Sequence, residues 1–171
     1  MHSEGAVSDE YISYILETYS AAIIRLCYTY VKNKEDAEDL AQDVFLELMR
    51  RGQKFDDIDY EKAWLMRTAV NKCKNHLKSA WVKHRAPLED DYVQGNAVEG
   101  EEGGSVTDAV LKLPAKYRTV IHLYYYSQLS IKEIAAVTGE NTATVGTRLS
   151  RGREMLKKKL KGDIDYEEDD G

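Results

Sequence analysis

Apolar residues recur at helical spacing along most of the chain, and they predict a series of amphipathic helices. Ser8, followed by Asp9 and Glu10, is typical of a helix start and predicts a first long helix. Asn33 is suited to cap a second helix, which Gly52 ends. The apolar stripe of the first helix is Ile12, Ile15, Leu16, Tyr19, Ile23, Leu26 and Tyr30, and that of the second is Ala37, Leu40, Ala41, Val44, Phe45 and Leu48.

A third helix is predicted from a cap at Asp59 to about His84, with a polar stripe beside an apolar one. From Lys62 to Arg85 there are 7 basic residues and no acid. The polar stripe consists of Arg67, Asn71, Lys74, Lys78, Trp81 and Arg85, with Trp64 and Asn75 beside it. This pattern favours contact with phosphates, base edges and unpaired bases. The alternative is a helix of snorkelling cations with both tryptophans in the core.

Two short helices joined by a tight turn are predicted near the C-terminus. Ser130 and Glu133 form a capping box, Gly139 suits the turn, and Asn141 or Thr142 can cap the second helix. The second helix has Val145, Leu149, Gly152 and Leu156 on one face and Thr144, Thr147, Arg148 and Arg151 on the other. This is the pattern of a helix-turn-helix, whose second helix lies in the DNA major groove. A plain helical hairpin with a solvated cationic face is the alternative.

Charge is distributed unevenly along the chain. The 171 residues have a net charge of −6, yet residues 109–161 hold 11 Lys or Arg against 3 acids. Residues 87–108 hold 7 acids and four glycines and no base, which is typical of a flexible linker. We therefore predict an all-α protein with small helical domains at 1–86 and 109–161, a flexible acidic linker at 87–108, and a disordered acidic tail at 162–171. A basic domain in an acidic chain indicates a polyanionic partner.

Several other classes of protein are not indicated by the sequence. It has no apolar run that could span a membrane and no secretion leader, so we expect a cytoplasmic protein without membrane insertion. Cys27 and Cys73 are expected to be buried free thiols, and the four histidines lack the spacing of metal ligands. No nucleophile motif, metal pair or phosphate-binding loop occurs, so we expect neither catalysis nor a cofactor.

Three motifs, in this order, resemble the extracytoplasmic-function (ECF) group of bacterial RNA polymerase sigma factors. They are DAEDLAQDVFLEL, AWLMRTAVNKCKNHL and LPAKYRTVIHLYYYSQLSIKEIAAVTGENTATVGTRLSRGREML. The resemblance implies a sigma-2-like helical bundle before the linker and a sigma-4-like helix-turn-helix after it. It also implies a protein that binds bacterial core RNA polymerase and directs initiation at particular promoters by recognising and opening promoter DNA. Control by an anti-sigma factor is common in this family.

The resemblance also implies roles for individual residues. The acidic face of the second helix would bind the clamp helices of the polymerase's largest subunit through Glu38, Asp39, Gln42, Asp43, Leu46 and Glu47. Taken alone, such a face is usually only solvated. The third helix and the loop before it would engage the minus-ten promoter element through Phe55, Trp64, Arg67, Asn71, Lys74, Asn75 and Lys78. The minus-thirty-five element would be read by Thr144, Thr147, Arg148, Arg151 and Lys157.

Gly146 and Gly152 depart from the pattern of this family, and Leu65 departs from that of primary sigma factors. Trp64 is followed by Leu65 where primary sigma factors carry two adjacent tryptophans, so we expect a weaker wedge between base pairs and strong dependence on a good promoter. Gly146 stands where many relatives have Lys or Arg, and Gly152 where Ala is usual. Each glycine is expected to cost the helix about 0.5 to 1 kcal/mol relative to alanine.

Two questions remain open at the level of sequence. A stand-alone DNA-binding regulator that uses only the basic domain is the second functional hypothesis, and the acidic helix is the feature that distinguishes it from a sigma factor. The acidic linker and tail either shield the basic surfaces from DNA or only keep the chain soluble.

Overall fold

Helices make up nearly all of the chain that this computed structural model describes, which is residues 7–84 and 105–169. No strand occurs in those two ranges, so the predicted all-α fold class is confirmed. The chain forms two units, Met1–Ala86 and Pro87–Gly171, which we call the N-terminal and C-terminal units. The helices are α1 Asp9–Val31, α2 Lys34–Arg51, α3 Ile58–His84, α4 Ser105–Leu111, α5 Ala115–Tyr125, α6 Ile131–Thr138 and α7 Thr142–Asp169.

The ends of α1 and α2 follow the local signals in the sequence. The Ser8 hydroxyl oxygen accepts a hydrogen bond from the Tyr11 N–H at 3.1 Å, and the Asn33 side chain accepts one from the Asp36 N–H at 2.9 Å. Each bond satisfies a backbone donor that the first turn of a helix leaves unpaired. Gly52 ends α2 with a φ of 69°, a left-handed conformation that glycine adopts without steric cost. These three predictions are confirmed.

The cap predicted for α3 is wrong by two residues. Helix α3 begins at Ile58, and the Asp57 side chain accepts a hydrogen bond from the Asp59 N–H at 2.9 Å. The Asp57 carbonyl then accepts the Glu61 N–H at 3.0 Å. Because Asp57 and Asp59 are both good N-caps, composition alone did not distinguish them.

The N-terminal unit packs α1, α2 and α3 around one apolar core. Cys27 on α1 is buried, as are Val44 on α2 and Val70 on α3, and each occupies the apolar stripe of its helix. The largest fully buried side chains of this unit are Ile15, Ile23, Leu26, Val44, Leu48, Leu65, Met66 and Val70. Burying one face of each helix leaves the opposite faces of α2 and α3 to solvent, which positions the surfaces described below.

The C-terminal unit packs α4 and α5 against the helix pair α6 and α7. The carbonyl of Pro114 accepts hydrogen bonds from the N–H groups of Tyr117 and Arg118, both at 2.9 Å, and so starts α5. The buried guanidinium of Arg118 donates to the Leu113 carbonyl at 2.8 Å, which joins α5 to the turn before it. The largest fully buried side chains of this unit are Leu113, Ile121, Leu123 and Ile134.

Two stretches differ from the predicted domain organisation. Residues 105–108, which the sequence analysis assigns to the linker, are the first turn of α4. Residues 163–169, predicted to be a disordered tail, continue α7 to Asp169. One glycine costs a helix interior only about 1 kcal/mol, and no proline follows Gly162, so nothing in the backbone requires α7 to stop there. Linker residues 87–104 and residues 170–171 lie outside the described ranges.

Candidate polymerase and nucleic-acid interfaces

The acidic face of α2 projects into solvent. Asp39, Gln42 and Asp43 are exposed, and Leu46 exposes 45% of its surface, while Glu38 is half-buried. Residues three and four apart on a helix lie on the same side, so these side chains form one strip, which we call the acidic strip. It is acidic along its length with one apolar side chain, an arrangement suited to a partner surface that combines cations with an apolar contact.

The remaining predicted residue of this face, Glu47, is engaged within the protein. Its carboxylate forms an ion pair with the Lys72 ammonium on α3, with 2.9 Å between Nζ and Oε2. Such exposed pairs contribute about 1 kcal/mol or less, so a partner could displace this one at low cost. Met49 was missed by the sequence analysis and is 51% exposed. Its position three residues after Leu46 on the same side of α2 was the signal that could have found it.

One side of α3 is polar and cationic. Arg67, Asn71, Asn75 and Lys78 are exposed, and Lys74 is half-buried. The opposite side is buried, through Met66, Val70 and Cys73. Trp81 is 44% exposed, so the alternative in which both tryptophans lie in the core is wrong for this residue. The structure therefore brings the predicted cations and amides together on one accessible face, the α3 basic face.

Three aromatic rings meet where the loop before α3 joins the helix. The Phe55 ring centroid lies 5.7 Å from that of Tyr60 and 5.6 Å from that of Trp64, and the Arg51 guanidinium stacks 3.8 Å from the Phe55 centroid. Phe55 is only 7% exposed, so in the free protein it supports the other rings. Tyr60 is 64% exposed and is the accessible ring of this aromatic cluster. Sequence analysis missed Tyr60, although its place in the first turn of α3 beside the loop was a usable signal.

A buried carboxylate, that of Glu61, follows Tyr60 in sequence. Glu61 is 3% exposed, and it accepts hydrogen bonds from the hydroxyls of Tyr11 at 2.6 Å, Tyr14 at 3.1 Å and Tyr19 at 3.0 Å. We call these four residues the Glu61 cluster. Burial and the bond to Glu61 raise the pKa of Tyr11 and of Tyr19 above the ordinary tyrosine value, so both stay protonated donors at neutral pH. No local signal predicted the cluster, because Glu61 lies 42 to 50 residues from the three tyrosines in sequence.

The helix-turn-helix has the geometry expected from its sequence. The Ser130 N–H donates to the Glu133 carboxylate at 2.9 Å, and the Glu133 N–H donates to the Ser130 hydroxyl at 3.1 Å, which confirms the capping box. Gly139 makes the corner with a φ of 78°. Of the two candidate caps for α7, Asn141 is the one used, since its side chain accepts the Thr144 N–H at 2.7 Å.

The outer face of α7 presents the residues predicted to contact DNA. Thr147, Arg151 and Lys157 are exposed, whereas Thr144 and Arg148 are half-buried. The Arg148 guanidinium is paired with the Glu140 carboxylate, with 3.3 Å between Nη1 and Oε1. We call Thr144, Thr147, Arg148 and Arg151 the α7 recognition face. Lys157, six residues after Arg151, lies on a different side of the helix.

The two glycines of α7 occupy different surroundings. A Cβ added to Gly146 would have no atom within 4 Å, so nothing in the packing requires glycine there. Gly152 is buried, and a Cβ at this position would lie 3.0 Å from Cγ1 of Ile121 on α5. The absence of a side chain at Gly152 therefore allows α5 and α7 to approach closely.

Beside α7, a groove of about 510 Å³ is lined by Tyr125, Arg153, Leu156, Lys157, Leu160 and Lys161. The Arg153 guanidinium donates to the Tyr125 hydroxyl at 2.6 Å and lies 5.1 Å from the Tyr124 ring centroid. Lys157, predicted to contact DNA, is thus also at the edge of an apolar groove with a cationic rim.

Both cysteines are free and buried, which confirms that prediction. Contact with Cys27 and burial raise the pKa of the Cys73 thiol, so it stays protonated. Across residues 7–84 and 105–169, no cluster of His, Cys, Asp or Glu could hold a metal ion. No helix in the described part of the chain combines the length and the apolar character that crossing a bilayer requires.

Comparison with known proteins identifies the family. The model of sigma-70 region 2 matches residues 15–82, and that of sigma-70 region 4 matches residues 104–156. The chain is 32% identical over 171 aligned residues to the ECF RNA polymerase sigma factor SigW of Bacillus subtilis (strain 168), covering 86% of this chain and 87% of SigW. It belongs to the ECF group of RNA polymerase sigma factors. RNA polymerase sigma factor SigV of the same strain is 30% identical, with 80% of this chain and 82% of SigV covered.

Two solved sigma factor structures share this fold. The sigma factor RpoE, solved in complex with the anti-sigma factor NepR from Bartonella quintana, has a TM-score of 0.73 at 23% identity, covering 87% of this chain and 96% of RpoE. CnrH, solved with the cytosolic domain of CnrY, has a TM-score of 0.63 at 22% identity, with 94% of both chains covered. As an ECF sigma factor, the protein binds core RNA polymerase and promoter DNA and directs transcription initiation.

Proposed function

We propose that this ECF sigma factor divides its work among three surfaces, with the acidic strip binding core polymerase and the two basic faces binding promoter DNA. The observation that carries the proposal is the separation of charge between exposed helix faces. Asp39 and Asp43 on α2 are exposed acids, while Lys78 on α3 and Arg151 on α7 are exposed cations. Surfaces of opposite sign suit partners of opposite sign, and DNA is a polyanion.

The acidic strip is proposed to bind the clamp helices of the largest polymerase subunit. Leu46 and the missed residue Met49 add an exposed apolar contact to the carboxylates. Interfaces of this kind gain affinity mainly from desolvated apolar side chains and gain orientation from charge.

The α3 basic face, the aromatic cluster and the loop at 52–57 are proposed to hold the minus-ten element as it opens. Asn71 and Asn75 can hydrogen-bond to base edges, and Lys74 and Lys78 can contact phosphates of the unpaired strand. Unstacking a base step costs a few kcal/mol, which contacts to the extruded base must offset. The accessible Tyr60 and the half-buried Trp64 offer rings for that base.

The α7 recognition face is proposed to read the minus-thirty-five element in the major groove. Arg148 and Arg151 are suited to bidentate contacts, each worth about 1–3 kcal/mol of discrimination between bases. Thr144 and Thr147 would add shorter contacts, and Lys157 a phosphate contact.

Charge reversal on the acidic strip tests the proposal. The variant Asp39→Lys/Asp43→Lys should lower the affinity for core polymerase at least about a hundredfold, while binding of the free chain to duplex promoter DNA is retained. The matched control is Glu17→Lys/Glu154→Lys, which makes the same change in net charge at exposed acids outside the strip. Equal loss in both variants would show a bulk charge effect. Unchanged polymerase binding and transcription in the first variant would show that another surface of the chain binds polymerase.

An anti-sigma factor is proposed as a further partner. RpoE and CnrH, which share this fold, were each solved with a partner, and NepR is named as an anti-sigma factor. The test is to purify the chain from its unstressed host and identify any polypeptide bound to it. A polypeptide that prevents the purified chain from binding core polymerase when the two are mixed again would support this partner. Full promoter-dependent transcription by the chain in unstressed cells would argue against it.

We also propose that the protein is cytoplasmic, because a sigma factor acts on core RNA polymerase and the chromosome, which are in the cytoplasm. We also propose that the protein acts without a catalytic centre or cofactor of its own, since polymerase supplies the chemistry of transcription. Promoter-dependent transcription by purified chain, core polymerase, template and nucleotides alone is the expected result.

A further inference from the structure

The Glu61 cluster is an unusual way to hold two helices together. A carboxylate that is 3% exposed is costly to bury unless hydrogen bonds compensate it. Here three hydroxyls from α1 do so, at 2.6, 3.0 and 3.1 Å, from residues 50, 42 and 47 positions away in sequence. Well-packed apolar side chains would often stabilise such a position as well or better. Hydrogen bonds, unlike apolar contacts, fix direction as well as proximity.

Tyr11 connects this cluster to the loop before α3. Its hydroxyl donates to Glu61, and the backbone N–H of Phe55 lies near enough to the same oxygen to oppose the rise in the pKa of Tyr11. The Lys54 ammonium lies 5.5 Å from the centroid of the Tyr11 ring. Tyr11 thus lies against residues 54 and 55 of the loop.

Phe55 connects the loop to the aromatic cluster. Its ring contacts Trp64 at 5.6 Å and Tyr60 at 5.7 Å, between centroids. The hydroxyl of Tyr19, in contrast, contacts Glu61 and Tyr14. Tyr11 and Tyr19 therefore make the same kind of bond to one carboxylate, but in the contacts described only Tyr11 also lies against the loop before α3, beside Lys54 and the Phe55 backbone.

We propose that the Glu61 cluster is a positioning device for minus-ten recognition, in which Tyr11 fixes the loop at 52–57 so that Trp64 and Tyr60 are held ready for the opened strand. This inference rests on the proposed role of α3 and that loop in minus-ten binding. Glu61 and Tyr11 act through the rings and the loop, and they do not touch DNA. A clamp that only stabilises the N-terminal unit is the competing explanation.

The phenylalanine variants of two tyrosines separate these explanations. Tyr11→Phe and Tyr19→Phe each remove one hydroxyl from Glu61, so both should lower the stability of the N-terminal unit to a similar extent. With holoenzyme at saturating concentration on a promoter selected from the host genome, permanganate reactivity of unpaired thymines measures the open complex. Tyr11→Phe should reduce it about tenfold, equivalent to about 1.4 kcal/mol, whereas Tyr19→Phe should change it less than about twofold. Core polymerase affinity should be unchanged in both.

A spectroscopic test of the free chain does not depend on the proposed function. In a Trp81→Phe background, Trp64 is the only tryptophan. Tyr11→Phe should shift the Trp64 emission maximum and increase its quenching by acrylamide, and Tyr19→Phe should not. Glu61→Gln, which keeps one acceptor oxygen, should shift the emission less than Glu61→Ala.

The outcomes are distinguishable. If the two tyrosine variants lose equal amounts of open complex, in proportion to their losses of unfolding free energy, the cluster only stabilises the N-terminal unit. That result would overturn the positioning role. Full opening by Lys74→Ala/Lys78→Ala would instead overturn the minus-ten assignment of α3, whatever the Trp64 emission showed. An unaltered Trp64 emission in Tyr11→Phe would overturn the connection from Tyr11 to the aromatic cluster, even with α3 correctly assigned.

Discussion

The two units hold their proposed DNA-binding surfaces by different means. In the C-terminal unit the recognition helix is set by bonds between near neighbours, such as Ser130 with Glu133 and Asn141 with Thr144, each three residues apart. In the N-terminal unit the loop before α3 is set by Glu61, whose partner Tyr11 lies 50 residues away. A locally specified surface survives changes elsewhere in the chain, whereas a surface specified at long range depends on the whole core. The difference suits the roles proposed for the C-terminal and N-terminal units, which are to read duplex DNA and to hold DNA as it opens.

The largest effect on stability is expected from removing the Glu61 carboxylate, whose hydrogen-bond partners are distant in sequence. Glu61→Ala leaves three hydroxyls without their acceptor and should lower the unfolding free energy of the N-terminal unit by about 3 kcal/mol. Urea unfolding followed by tryptophan fluorescence measures this unit alone, because Trp64 and Trp81 are the only tryptophans in the chain. Glu17→Ala, at an exposed position on α1, is the control and should change little. If Glu61→Ala lowers the unfolding free energy by no more than the loss of one helix cap would, the two units do not differ in how strongly such bonds stabilise them.

This contrast also explains how much could be predicted from sequence. The caps at Ser8 and Asn33 and the turn at Gly139 depend on a few neighbouring residues, so their residue types were sufficient. The helix faces followed from apolar periodicity in the same way, except at Leu16, which was predicted on the apolar stripe of α1 but is 39% exposed. The Glu61 cluster could not be predicted, because nothing near Glu61 in sequence indicates that tyrosines of α1 surround it.

Errors in the predicted boundaries have an equally local cause. Asp57 and Asp59 offer the same capping chemistry, and only the path of the loop decided between them. Acidic composition suggested a linker up to residue 108 and disorder after Gly162, yet Ser105–Leu111 is helical and α7 continues to Asp169. Composition predicts solvation more reliably than it predicts backbone conformation.

The corner of the helix-turn-helix tests the local mechanism most strongly. Gly139 has a φ of 78°, and a Cβ there would meet nothing within 4 Å, so any cost of substitution is conformational. Gly139→Val should therefore cost about 2 kcal/mol, and Gly139→Asn much less, since asparagine tolerates the left-handed region. Hydrogen exchange of amides in α6 and α7, read by mass spectrometry, measures the change. Equal exchange in the two variants would show that the corner is not set by backbone conformation.

Loss of the capping box should have a smaller effect. Ser130→Ala removes the acceptor for the Glu133 N–H and should destabilise α6 by about 1 kcal/mol. The increase in hydrogen exchange should be confined to the C-terminal unit, while urea unfolding by tryptophan fluorescence stays unchanged. Ser150→Ala, an exposed serine within α7, is the control. A change in the tryptophan signal would show that the capping box of α6 also affects the N-terminal unit.

The smallest effect distinguishes local propensity from packing within one helix. Gly146→Ala places a methyl group in open space and should stabilise α7 by about 0.5–1 kcal/mol. Gly152→Ala gains the same propensity but brings its Cβ to 3.0 Å from Ile121, so the gain should be cancelled by strain between α5 and α7. The difference in exchange protection of α7 between the two variants measures that strain directly. Equal stabilisation by the two variants would mean that the Ile121 side chain moves aside at no cost. The stability of α7 at Gly152 would then depend on helix propensity and not on packing against α5.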